Sequence, residues 1–352
     1  MELEVPQITT DFFVLSIQAD IGCPDTEKPY RLAPGLQIAI TNPMSSSSPA
    51  AQFSPWVVPT ALIVLYFSWG TTNLAIRIGV QDMPPFLFGG VRLALAGAIV
   101  LAIIAYRTGQ WQLSLRDLLR TSLSSTLLFV GGNGLLTCSM QYLESGLAAV
   151  VIAVSPIWMA LMELAVPRGD RLTSRGWYGL LVGFVGILIL GWYKIAGGST
   201  LDHQMGFILA LASSVVWSLG TLLSKYNRPR CSVWLAAGYQ MLLGGTAMII
   251  TGTILGEPQR LTAASFTWSA LLAFLYLLVI GSLIGFVIYQ FLLSNVSLAL
   301  AGTYAYVTPI ISLVVGATLA HEEVPLVAVV ALVLTLIGVY LIKQGMRREA
   351  VS

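Results

Sequence analysis

Ser68-Trp69-Gly70-Thr71-Thr72-Asn73-Leu74-Ala75-Ile76-Arg77 ends one apolar stretch in the first half of the chain. Trp217-Ser218-Leu219-Gly220-Thr221-Leu222-Leu223-Ser224-Lys225 ends another in the second half. In both, a basic residue follows a tryptophan at the same interval. The correspondence continues downstream. Ser155-Pro156 sits in an apolar run that leads to Gly169-Asp170-Arg171, and Thr308-Pro309 sits in one that leads to His321-Glu322-Glu323. The proline-to-acid interval is again the same, from Pro156 to Asp170 and from Pro309 to Glu323. The chain therefore reads as an internal duplication.

The copies are membrane-spanning. Of the 352 residues 56% are hydrophobic and 10% charged, and the mean hydropathy is +0.82. A soluble domain carries about a quarter charged residues. A helix needs about 20 apolar residues to cross the hydrocarbon layer. Ten stretches qualify: 56–79, 86–106, 119–142, 147–166 and 177–193, then 205–226, 233–255, 268–293, 298–320 and 324–342. No alternating strand pattern suggests a barrel. Five spans per copy is an odd number, so the second copy must enter the membrane upside down. The fold class expected is an all-α membrane protein of ten transmembrane helices, built as two inverted five-helix repeats. Such repeats are the architecture of alternating-access transporters.

Loop charge sets the expected orientation, because Lys and Arg near span ends stay in the cytoplasm. Arg107, Arg116, Arg120, Arg168, Arg171, Arg175, Lys225, Arg228, Arg230, Lys343, Arg347 and Arg348 fall on one side, and Arg77, Lys194 and Arg260 on the other. Both termini are expected in the cytoplasm of a cell with the protein in its plasma membrane. Residues 1–55 read as a disordered cytoplasmic tail, with the native start expected at Met44. The first repeat covers 56–193, a linker 194–204, the second repeat 205–343 and a short tail 344–352.

Composition removes several function classes. Cys23, Cys138 and Cys231 give neither a disulfide framework nor a metal spacing. His203 and His321 fall in outer loops, so no metal site is expected. There is no Walker loop, no His-Glu-x-x-His and no paired intramembrane aspartate. Neither an enzyme nor a cofactor is expected, and the net charge of +2 carries no nucleic-acid signal. The expected partners are a small-molecule substrate and the lipid bilayer, with the protein a monomer or homodimer.

Polar residues within spans need a reason, since a central charge costs about 2.5–3.5 kcal/mol even on lenient scales. Arg92 lies several residues into the second span. It reads either as a cavity-facing cation for an anionic substrate group or as a snorkelling or structurally paired side chain. Glu163 reads as a proton site or as the partner of Arg168 or Arg171. Trp69 and Trp217 sit at matched mid-membrane depth, where an indole N–H wants an acceptor, and Asn73 shares the helix face of Trp69. Asn133, Gln141, Tyr239, Gln240, Tyr289 and Tyr304 complete the candidate substrate-binding set. An apolar pocket with a few convergent polar groups is the usual form of such a site. Gly131-Gly132-Asn133-Gly134 should loosen its helix at mid-depth, which is tolerated only beside a cavity.

Several of these residues carry a family resemblance. Ser68-Trp69-Gly70-Thr71-Thr72-Asn73, Arg77-Ile78-Gly79, Pro84-Pro85-Phe86 and Val91-Arg92-Leu93 resemble the opening of the EamA domain of the drug/metabolite transporter superfamily. Ala148-Ala149-Val150 to Pro156, then Gly169-Asp170-Arg171-Leu172, resembles its fourth span and following loop. Ala305-Tyr306-Val307-Thr308-Pro309 to Glu322-Glu323, closing in Gly338-Val339-Tyr340-Leu341-Ile342, is similar to the end of a second copy. Asp170 stands where a glutamate is commoner. The resemblance implies ten helices in two inverted repeats that export or exchange small metabolites, with amino acids or amphiphilic drugs leading. A sugar-phosphate or nucleotide-sugar exchanger and a non-transporting scaffold or receptor are the alternatives.

Overall fold

The computed structural model describes residues 55–109, 111–166, 171–196, 200–296 and 298–347. The tail expected over 1–55 lies outside these residues except for Pro55. Among the described residues there are ten helical passes. In the first half α1 is Val57–Asp82 and α2 is Pro85–Thr108. Then α3 runs through Leu115–Ser125, a π-helical Thr126–Gly134 and Leu135–Ser139. Next, α4 is Ser145–Ile152 and Ser155–Glu163 with a break between, and α5 is Ser174–Ala196.

The second half repeats the scheme. α6 is Leu201–Tyr226 and α7 is Val233–Ile254. α8 is Trp268–Tyr276, a π-helical Leu277–Phe286 and Val287–Asn295. α9 is Leu298–Ala301 and Tyr304–Leu319, and α10 is Leu326–Gly345. So α3 and α8 both carry a π stretch, and α4 and α9 are both broken in their first half. Six passes (α1, α2, α4, α6, α7 and α8) are long and apolar enough on their own to cross a membrane. A two-residue antiparallel pairing of Arg171–Leu172 with Met346–Arg347 joins the start of α5 to the end of α10.

The face where α1 begins and α10 ends is here the near face; the face where α1 ends is the far face. Residue chemistry explains the ends on both faces. Pro84 and Pro85 open α2 at no hydrogen-bond cost, because the first N–H groups of a helix lack intrahelical partners anyway. Ser114 caps α3 by accepting from Asp117 N, and Ser232 caps α7 by accepting from Leu235 N. α2 ends on Gly109, whose φ of 66° is left-handed and costs a glycine little.

The two halves are related by a pseudo-twofold axis. α1 packs on α8 and α9 of the second half, while α6 packs on α3 and α4 of the first. α2 and α7, matched helices, pack on each other, as do α5 and α10. Pro85 opens α2 as Val233 opens α7, so Gly90 and Gly97 correspond to Gly238 and Gly245. A methyl on Gly97 would lie 2.3 Å from Leu242 N and 2.7 Å from Gly238 O. One on Gly245 would lie 2.3 Å from Ala94 N and 2.7 Å from Gly90 O. Each contact is the other's image, as an isologous twofold contact requires. Each repeat holds five helices, so the axis lies in the membrane plane and the repeats are inverted.

Small residues at such a crossing let backbones approach where lipid offers no hydrophobic drive. Gly97→Ala and Gly245→Ala should each destabilise the protein by about 1–3 kcal/mol, the usual range for overpacking. Thr246→Ala, on the exposed face of α7, should leave the unfolding midpoint in detergent nearly unchanged.

Candidate functional site

A cavity of about 100 Å³ opens between the repeats at mid-depth, displaced towards the far face. Six of the residues singled out from the sequence line it: Trp69, Asn73, Arg92, Asn133, Trp217 and Tyr304. The two π stretches place it. A π stretch is commonest at functional sites, and here both meet side chains of the opposite repeat. Gly132 O in α3 accepts from Ser213 Oγ of α6 at 2.8 Å. Ile280 O in α8 accepts from Ser68 Oγ of α1 at 2.6 Å. The Gly131-Gly132-Asn133-Gly134 run thus lies in a loosened helix beside a cavity, as its composition suggested.

The matched tryptophans form an aromatic floor. Trp69 and Trp217 meet edge to face with centroids 5.7 Å apart. Trp69 also packs on Tyr289 and Tyr304, each at 4.9 Å. Each indole finds an acceptor: Trp217 Nε1 donates to Tyr304 Oη at 3.0 Å and Trp69 Nε1 to Gly281 O at 3.4 Å. Each ring also lies over a glycine of the opposite repeat. A methyl on Gly132 would come within 2.8 Å of the Trp217 ring, and one on Gly285 within 2.6 Å of Trp69 Nε1. Tyr289 is buried under the floor, its hydroxyl 2.9 Å from that of Thr221.

Arg92 dominates the electrostatics. It is 4% exposed, and its Nη2 donates to Asn133 Oδ1 at 3.1 Å. Its Nε has no hydrogen-bond partner, and among the described residues no carboxylate forms an ion pair with it. Ser282, 1% exposed, also lines the cavity with an unpartnered hydroxyl. Buried polar groups left unsatisfied in this way are uncommon. Asn73 serves partly as a tie: its Nδ2 donates to Ser312 Oγ at 2.8 Å, and Ser312 donates on to Gly70 O.

Four expected residues lie elsewhere. Gln141 is exposed in the far-face turn after α3, since that helix ends at Ser139. Tyr239 Oη donates to Trp111 O at 2.6 Å and fastens α7 to the near-face connection between α2 and α3. Gln240 is buried in the near half, its Nε2 donating to Ser224 Oγ at 2.7 Å and Ser124 Oγ at 3.3 Å. Glu163 is buried towards the near-face end of α4 and accepts from Tyr226 Oη. Arg168, one partner expected for it, lies outside the described residues. Sequence reasoning missed the hydroxyls of Thr72, Ser155, Ser213, Ser214, Ser282 and Thr308, all of which line the cavity. Ser213 stands one turn before Trp217 and Thr72 one turn after Trp69, so helical spacing could have found those two.

Outside the cavity, the matched cations occupy matched places. Arg77 donates to Leu143 O, just before α4, and pairs with Glu322 at 3.3 Å. Lys225 donates to Val296 O, just before α9, at 3.4 Å. Glu322 also caps α4, accepting from Ser145 N at 3.0 Å, Ser145 Oγ at 2.9 Å and Gly146 N at 3.1 Å. A carboxylate is favoured at a helix N-terminus by the free N–H groups and the helix dipole. Glu257 does the same for α2 through Phe86 N and Leu87 N.

Inverted five-helix repeats around a mid-membrane cavity define an integral membrane transporter. The sequence matches the EamA-like transporter family over residues 57–192 and 204–344, and the chain belongs to that family. It is 36% identical over 287 residues to "Uncharacterized inner membrane transporter YedA" of Escherichia coli (strain K12), covering 81% of this chain and 90% of that one. It is 24% identical over 293 residues to the "Probable amino-acid metabolite efflux pump" of Salmonella typhimurium, covering 82% and 94%. A solved structure shares the fold with a TM-score of 0.60 at 19% identity, covering 84% of this chain and all of the other.

The bond from Trp217 to Tyr304 yields a prediction. Trp217→Phe should lower stability by about 0.5–1.5 kcal/mol, the net worth of a typical hydrogen bond. Tyr304→Phe added to Trp217→Phe should cost little more, giving non-additivity in unfolding midpoints.

Proposed function

We propose that the protein is a secondary transporter that exports or exchanges a small carboxylate-bearing metabolite, an amino acid or close relative, by alternating access. The observation that carries this reading is Arg92, a cation buried at the cavity wall with one amide partner and no carboxylate within ion-pair reach among the described residues. Removing one partner of a buried ion pair is costly because the remaining charge stays uncompensated. A solute that brings its own carboxylate supplies the missing charge, and the guanidinium fork can grip it with two bonds.

The rest of the wall suits the remainder of such a solute. Trp69, Trp217 and Tyr304 offer ring faces for an apolar side chain, or for an ammonium through cation–π attraction. The hydroxyls of Ser213, Ser214, Ser282 and Thr308 add adaptable hydrogen bonds. The cavity, about 100 Å³, favours a small solute over a large amphiphilic drug. A sugar phosphate or nucleotide sugar presents several anionic oxygens, and among the described lining residues only Arg92 is cationic. The relative named as an amino-acid metabolite efflux pump points the same way. In this reading the near face is cytoplasmic, because Arg107, Arg116, Arg120, Arg175 and Arg230 gather there.

Flux in proteoliposomes provides the test. Arg92→Gln should keep the protein folded and weaken a carboxylate solute by about 1.5–3 kcal/mol, the worth of a hydrogen bond to a charged group. Arg92→Lys should recover only part of this, since lysine lacks the fork. Neutral solutes should be nearly indifferent to both. Equal losses for neutral and carboxylate solutes would make Arg92 a packing residue.

A further inference from the structure

The pseudo-twofold axis assigns each cavity residue a counterpart; some, like Trp217 for Trp69, line the same cavity, but four lie in the near half and meet in pairs. Trp69 matches Trp217, so Asn73 and Ile76 correspond to Thr221 and Ser224. Pro85 matches Val233, so Arg92 corresponds to Gln240. Leu143 matches Val296, so Leu136 corresponds to Tyr289. Asn73, Ile76, Arg92 and Leu136 all line the cavity, in the halves of their helices towards the far face. Their counterparts touch each other instead: Thr221 and Tyr289 share a hydrogen bond of 2.9 Å, and Gln240 bonds Ser224 at 2.7 Å. All four are buried, and Tyr289 shares a hydrophobic cluster with Leu65, Leu128 and Met241.

This arrangement is what a closed half of a twofold path should look like. When inverted repeats exchange conformations, the half that is packed opens and the half that is open packs. One further observation marks the near half as more than a core. Gln240 is buried, yet its Oε1 has no partner, and the nearby Thr121 Oγ1 has none either. Unpaired buried oxygens carry a desolvation cost with nothing to offset it. Apolar residues there would pack at no such cost.

We propose that Gln240, with Ser224, Thr221 and Tyr289, lines the same cavity when it faces the near side, with Gln240 meeting the solute where Arg92 meets it in the far-facing state. The inference rests on the alternating-access reading above. It gives the path an electrostatic asymmetry. The far-facing cavity offers a guanidinium to an anionic group. The near-facing one offers neutral hydroxyls and a free amide oxygen, which accepts from an ammonium or hydroxyl.

Thiol accessibility in the full chain tests it, with Cys23, Cys138 and Cys231 replaced by serine. The probe is membrane-impermeant trimethylammonioethyl methanethiosulfonate, applied to one face of proteoliposomes at a time. Gln240→Cys and Ser224→Cys should react from the near face at roughly 0.1–10% of the rate of an exposed thiol, the population of a minor conformer. Ala237→Cys should stay inert, although Ala237 is buried one turn nearer that face. Asn73→Cys should react from the far face and reports the cavity itself. If Gln240→Cys and Ser224→Cys are as inert as Ala237→Cys while Asn73→Cys reacts, the inference falls and the transporter reading stands. If Asn73→Cys is inert too, both fall. If Ala237→Cys reacts as fast as the other two, the helix frays without lining a path, and the inference is overturned.

Discussion

Everything in this molecule hangs on the contact that α2 and α7 make across the pseudo-twofold axis. Backbone meets backbone there, with Gly97 against Leu242 and Gly238, and Gly245 against Ala94 and Gly90. In lipid the hydrophobic effect does not hold helices together, so close packing must. The crossing fixes the inverted relation of the repeats, and the other pairings follow as images: α1 on α8 and α9, α6 on α3 and α4. Two identical features that would be unremarkable alone, a tryptophan and a glycine-bearing π stretch, are thereby brought face to face at the centre of the membrane. Trp69 over Gly285 and Trp217 over Gly132 are the result.

Symmetry builds the path, and departures from symmetry give it chemistry. Arg92 is matched by Gln240, so the duplicated scaffold holds one deep cation where it could hold two. Arg77 and Lys225 both hold the carbonyl ahead of a broken helix, and Arg77 also pairs with Glu322, which caps that helix. A transporter needs its two facings to be close in free energy, since a conformer disfavoured by several kcal/mol is too rare to carry flux. Modest polar ties of this kind suit that requirement better than a large apolar seam would.

The sequence carried the architecture because the membrane enforces it. Span length and the matched Trp69 and Trp217 are direct consequences of membrane thickness and of duplication. The π stretch of α3 was legible, since three glycines around Asn133 leave little else to expect at mid-depth. That of α8 was not, because Gly281 and Gly285 stand in an otherwise ordinary apolar run. Within the site, the charged and aromatic residues stood out, since each is expensive or conspicuous in hydrocarbon. The hydroxyls did not. Serine and threonine often satisfy themselves on the preceding turn, as Thr246 does on Leu242 O, so nothing in their spacing separates the cavity from the lipid face. Gln141 and Tyr239 were placed in the site by depth along the helix alone, which does not give the direction in which a side chain points.

The central claim is that Arg92 waits for a carboxylate carried by the solute. The most direct measurement changes the solute and leaves the protein intact: thermal stability of the purified protein against free amino acids and the corresponding amino-acid amides. A ligand that binds the native state raises the midpoint by mass action. The account predicts that at least one free amino acid stabilises the protein while its amide, lacking the negative charge, does so far less. Equal stabilisation by an acid and its amide would contradict it.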